Sequence, residues 1–166
     1  MKRLAFAAVF IIGGFAAVIA ALASGIAVPS VDAAVLSTGQ AGIPANGSFG
    51  GNVCADVSGG RIVPGTPITA FFCTAAPNQQ FEFNGSTIFS VGGQDCVDVS
   101  SGRTAAGTPV QFWTCNGTGA QQWSYMNGAI INNQSNRCLD ATGMENGRQL
   151  VINDCNGNVS QNWQIK

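Results

Sequence analysis

Three aspartates, Asp56, Asp98 and Asp140, each stand two residues after a cysteine, at Cys54, Cys96 and Cys138. An ionised carboxylate only accepts hydrogen bonds and can bridge two hydroxyls. Two rings, Phe71 and Trp113, each stand two residues before a further cysteine, Cys73 and Cys115. A ring offers flat apolar area at little cost in rotamer freedom. A carboxylate beside a ring can hold a polyhydroxylated molecule. Other chemistries lack their residues. The chain has no histidine, which removes the commonest general base and the commonest zinc ligand. No Walker loop or Cys-His pair occurs. Asp95 and Asp98 supply two carboxylates, but alternation along a strand sends their side chains to opposite faces, so they form no hydrolytic pair. The stretch 140–145 has the wrong oxygen spacing for a calcium loop. The expectation is therefore binding without catalysis, metal or cofactor.

These residues recur. Cys54, Cys96 and Cys138 step by 42 residues, as do Cys73 and Cys115, with Cys155 following after 40. Phe81, Trp123 and Trp163 step by 42 and 40. Fixed-period self-similarity marks a repeat architecture. Within each copy the segments are short, apolar and often alternating, separated by Gly, Pro, Asn and Ser, which predicts an all-β sandwich or barrel. Four strands per copy give twelve strands, and three copies closing on themselves remove most exposed edges. The copies span roughly 46–85, 86–127 and 128–166.

Six cysteines in an exported chain read as disulfides. Pairing within each copy, across neighbouring antiparallel strands, predicts Cys54–Cys73, Cys96–Cys115 and Cys138–Cys155. Facing Cα atoms there lie about 4.5–5.5 Å apart, within the disulfide range. With the cysteines directly opposed, the same ladder sets Asp98 opposite Trp113, Asp56 opposite Phe71 and Asp140 opposite Asn153.

Export is expected from the N-terminus. Lys2 and Arg3 precede an apolar run from Leu4 to Ala23, the pattern of a signal peptide within residues 1–33 cleaved after Ala23 or Ala33. The alternative is an uncleaved membrane anchor, since about 20 apolar residues span a bilayer. Residues 34–45 read as a linker, and 46–166 as one domain. Removing residues 1–33 leaves five basic residues against seven acidic ones. No basic stripe exists, which argues against a nucleic-acid partner. Sequons at Asn46, Asn84, Asn116, Asn133 and Asn158 read as turn chemistry.

The triplets Gln121-Gln-Trp123 and Gln161-Asn-Trp163, the variant Gln79-Gln-Phe81 and the Cys-x-Asp phrases before them resemble the ricin-type lectins, also found as family 13 carbohydrate-binding modules. The likeness covers roughly 46–166 and extends to the small secreted ricin-like lectins of actinobacteria. It implies a β-trefoil with one shallow sugar pocket per copy; with the export signal and the absence of a calcium loop, the expectation is a secreted, calcium-free monomer. In the middle copy it implies that Asp98, Gln111, Trp113 and Gln121 contact sugar, with Ala120 standing where the family offers Asn. In the first copy it implies Asp56, Phe71, Asn78 and Gln79, with Thr69 in place of the glutamine. In the third it implies Asp140 and Gln161, with Asn153, Val151 and Ser160 departing from the pattern. The middle copy should bind best, the ligands being glycans, galactose-type sugars among them. Trp123, Trp163 and Phe81 should be core. Two readings stay open at this point. The aspartates serve either a ligand or the turns around them, and Gln121 meets either sugar or backbone. The competing function is a trefoil that binds or inhibits a protein instead of a sugar.

Overall fold

The computed structural model describes residues 34–38, 53–90 and 95–165. The expected signal peptide, and residues 39–45 of the expected linker, lie outside the described residues. Twelve strands are described: β1 (Ala34–Thr38), β2 (Val53–Val57), β3 (Ile68–Phe72), β4 (Gln80–Phe83), β5 (Ile88–Ser90), β6 (Asp95–Val99), β7 (Thr108–Thr114), β8 (Trp123–Met126), β9 (Ala129–Asn132), β10 (Arg137–Asp140), β11 (Val151–Asn153) and β12 (Trp163–Ile165). One of them falls where a linker was expected. β1 pairs with β12, β2 and β4, so residues 34–38 supply the first copy's first strand. Their small residues carry no repeat signature, which is why the stretch reads as a linker.

The alternating sequences of β6 and β7 give each strand two faces. Val97, Val99, Val110 and Phe112 point inward and are buried, while Asp98, Gln111 and Trp113 share the outer face. The core gathers such residues from all three copies, with Phe81, Trp123 and Trp163 fully buried. Both indoles are satisfied there, Trp123 Nε1 donating to the Val97 carbonyl at 2.9 Å and Trp163 Nε1 to that of Leu139 at 2.8 Å. Phe81 has no such donor and stacks on Phe112, with centroids 5.9 Å apart.

The copies lock together cyclically. The Gly65 amide donates to the Phe112 carbonyl at 2.7 Å, Gly107 to Ile152 at 2.8 Å and Gly147 to Ala70 at 2.7 Å. Each copy's turn thus closes on a strand of another copy, and the last closes on the first. This is the β-trefoil.

The three expected disulfides are present, each with Cα atoms 5.0–5.1 Å apart. The register differs from expectation by two residues. Cys96 faces Trp113 and Asp98 faces Gln111. Likewise Cys54 faces Phe71 and Asp56 faces Thr69, while Cys138 faces Asn153 and Asp140 faces Val151. The second cysteine of each pair lies beyond its strand: β7 ends at Thr114, and the chain bends so that Cys115 reaches Cys96 diagonally. A regular diagonal pair would be about 7–8 Å apart, too far for a disulfide, so it is the bend beyond each strand that brings the second cysteine within reach.

Candidate carbohydrate-binding site

The middle copy presents Asp98 at the floor of an open depression of about 560 Å³. The aspartate is only 5 % exposed. Gln111 Nε2 donates to its Oδ1 at 3.2 Å, and Gln121 Nε2 donates to its Oδ2 at 3.1 Å. Burial pushes the Asp98 carboxyl above the ordinary carboxylate range, while the bonds from Gln111 and then Gln121 pull the other way. Trp113 lines one side and is 43 % exposed. A ring of that size held out to solvent is unused by the core, whose inward place on the strand Phe112 fills. Asp98 and Trp113 are diagonal neighbours on one face, close enough in a ladder for a long or aromatic side chain to share a ligand.

Gln121 departs from its expected contact with sugar. It is fully buried. Its Nε2 also donates to the Thr114 carbonyl at 3.0 Å, and its Oε1 accepts the amides of Asn116 at 2.8 Å and Gly117 at 3.3 Å. Every polar atom is consumed, so Gln121 positions Asp98 and pins the bend after β7. Gln79 and Gln161 repeat the arrangement. Gln79 donates to Asp56 Oδ2 and the Phe72 carbonyl, each at 2.8 Å. Gln161 donates to Asp140 Oδ2 at 2.9 Å and to the Asp154 carbonyl at 3.0 Å. Two residues on, Trp123 bonds the carbonyl beside Asp98. The Gln-x-Trp triplet therefore holds the carboxylate strand by both side chain and backbone.

The copies differ above that common base. In the first, Asn78 Nδ2 donates to Asp56 Oδ2 at 2.9 Å, and Phe71 is 36 % exposed. Thr69 is buried and bonds the backbone carbonyl of Asp56, so it adds nothing to the carboxylate. Burial again raises the aspartate, opposed by bonds from Gln79 and Asn78. In the third, Asn153 occupies the ring's place and folds over the carboxylate. Its Nδ2 donates to Asp140 Oδ2 at 3.0 Å and to Thr142 Oγ1 at 3.1 Å, while its Oδ1 accepts the Gly107 amide at 2.9 Å. The third pocket is filled from within, and Asp140 Oδ1 is buried without a hydrogen-bond partner.

Sequence reasoning missed several wall residues of the middle pocket. Ser101 and Gly102 come from the turn after β6, Asn116 and Thr118 from the bend after β7, and Gln134 from the third copy. Gln134 Nε2 is fixed to the Gly102 carbonyl at 3.0 Å. Nothing in the middle copy's sequence points to Gln134, since only the assembly of copies brings it there. Asn116 stood out only as a sequon. Its Oδ1 accepts the Thr118 amide at 3.0 Å, and Asn84 bonds the Ser86 amide at 3.1 Å in the same way, so both build the turns expected of them.

The sequence match is to the ricin-type beta-trefoil lectin domain, over residues 46–163. This chain belongs to the ricin-type β-trefoil lectin family. Solved structures of similar fold include the Abrus precatorius agglutinin, with 27% identity and a TM-score of 0.61, covering 68% of this chain and 44% of that one. A non-toxic type II ribosome-inactivating-protein homologue from Momordica charantia, in complex with α-methyl-D-galactoside, matches with 23% identity and a TM-score of 0.59, covering 68% and 43%. The designed threefold-symmetric protein ThreeFoil matches with 19% identity and a TM-score of 0.62, covering 68% and 89%. The match thus takes in less than half the length of the two plant proteins. A comparison with curated protein sequences found no match.

Proposed function

We propose that this chain is a secreted, monomeric lectin that binds glycans non-covalently, chiefly through its middle copy and secondarily through its first. The observation that carries this reading is the pairing of a buried, oriented carboxylate, Asp98, with an exposed ring, Trp113, on one face of an open depression. Asp98 accepts two adjacent sugar hydroxyls, and Trp113 stacks on the apolar face of the same ring. Gln111 Oε1, the Ser101 hydroxyl and the free end of Gln134 surround them with further hydrogen-bonding groups. Galactose-type sugars are the first class to test, since the bitter-gourd relative was solved with a galactoside. Binding without catalysis fits a pocket whose walls hold one carboxylate, because hydrolysis of a glycosidic bond ordinarily uses two.

Three or four hydrogen bonds, each a net ~0.5–1.5 kcal/mol, plus one stacked face, must offset the ligand's lost freedom. A single pocket therefore binds in roughly the millimolar range. Two pockets on one rigid body raise avidity on a multivalent surface. The test is a glycan array and calorimetry with the domain and with Trp113→Ala and Asp98→Ala. Both variants should lose binding while keeping a wild-type circular dichroism spectrum. Wild-type binding by both would refute the site. The filled third pocket favours a second reading, in which a trefoil face serves a protein partner. An empty array alongside a stoichiometric protein complex would support it.

A further inference from the structure

We infer that the middle copy reads an extended β-linked oligosaccharide, with a second stacking position at Phe89 that takes a sugar two units from the one held at Trp113. The inference rests on the lectin reading above. Its basis is a row of paired residues: Phe89 on β5 faces Cys96 on β6, and Cys96 faces Trp113 on β7. Directly paired residues share a sheet face, so the two rings stand on the same outer face with the Cys96–Cys115 disulfide between them. Two interstrand spacings set them about 10 Å apart, about the length of two pyranose units in an extended chain.

Phe89 is half-buried and lines a groove of about 550 Å³, nearly the size of the Asp98 pocket. The bend after β7 separates the two depressions. Asn116 and Thr118 face the first, while Thr114, Cys115 and Gly117 face the second. The space beside Gly117 on that divide is open, since an added methyl group there would meet nothing within 4 Å. A chain can therefore pass over it from one depression to the other. The groove's rim carries groups suited to sugar hydroxyls. Asn84 Oδ1 is spent on the Ser86 and Thr87 amides, which fixes the side chain and leaves its Nδ2 to donate outward. The hydroxyls of Thr87 and Thr114 stand beside it.

The third copy supplies an internal contrast. Its equivalent groove holds only about 110 Å³. Ile131 replaces the ring, and the Asn162 side chain occupies the space, its Oδ1 standing against Gly128 where a Cβ would be. The copy that has lost its ring-and-carboxylate pocket has also lost the groove beside it. The open groove thus accompanies the open pocket, as a continuous binding track requires.

The test is calorimetry with galacto-, xylo- and cello-oligosaccharides of one to four units. For the series that binds, affinity should change little from one to two units and rise about tenfold at three, a step of about 1.4 kcal/mol. Phe89→Leu, which keeps apolar bulk without a flat face, should hold the trisaccharide at the disaccharide's affinity, and Phe89→Tyr should restore the step. Affinity that stays flat with length, or a step that survives Phe89→Leu, overturns this inference and leaves the lectin reading standing. No binding of any sugar overturns both.

Discussion

Replacing Gln121 by leucine separates positioning from contact. The side chain is fully buried and makes four hydrogen bonds. Leucine keeps much of the volume but strands two acceptors, Asp98 Oδ2 and the Thr114 carbonyl. The amides of Asn116 and Gly117 sit on an exposed bend and recover water. Two stranded acceptors cost about 1–3 kcal/mol each, and the added apolar burial returns about 1 kcal/mol. The net loss is about 1–5 kcal/mol, and its middle value of about 3 kcal/mol lowers the melting temperature of a domain this size by about 10 °C. Asp98 also loses the bond that aims it, so glycan binding should fall with stability although Gln121 is fully buried and its polar atoms are all engaged within the protein. Urea unfolding and calorimetry on the same preparations decide the matter. If Gln121→Leu unfolded like wild type while binding vanished, the residue would be a ligand contact and the positioning argument would be wrong.

Trp113→Ala should weaken glycan binding at least about tenfold yet shift stability by no more than about 0.5 kcal/mol, because an exposed ring away from the core contributes little to folding; chemical denaturation beside calorimetry checks both. If Asp98 accepts sugar hydroxyls as proposed, binding needs its ionised form, and burial raises its pKa above the ordinary 3.8. Affinity should therefore fall on acidification with a midpoint above 3.8, and a midpoint below that value would contradict the burial argument. The same raised pKa means that this group's share of fold stability is greatest in acid and is lost as pH rises through the folded value. Removing Cys96–Cys115 by double alanine substitution should cost about 3 kcal/mol on the chain-entropy model and loosen the bend that carries Asn116, readable as a lower urea midpoint. Ser101 holds a left-handed backbone with φ 57°, a conformation that costs a non-glycine residue roughly 1 kcal/mol. Ser101→Gly should accordingly raise the urea midpoint, and an unchanged or lower one would show that the serine hydroxyl repays its strain.

The repeat spacing of cysteine, aspartate and Gln-x-Trp determined the threefold all-β architecture, the three disulfides and the assignment of Phe81, Trp123 and Trp163 to the core. Strand alternation placed Phe112 inside and Trp113 outside. These features were legible because local periodicity and one covalent distance fix them. The register was not legible, because the bend at Thr114 brings a cysteine two residues out of register to the 5.0 Å that a facing pair would also have, and that bend is held by Gln121 from seven residues on. The role of the glutamines was hidden for a related reason. A motif shows which residue types recur but not which side of the backbone bend each amide occupies. Gln134, which reaches the middle pocket from the third copy, and Asn153, which closes the third, depend on tertiary assembly. What a loop side chain meets is set by how the copies pack, and no spacing within one copy encodes that.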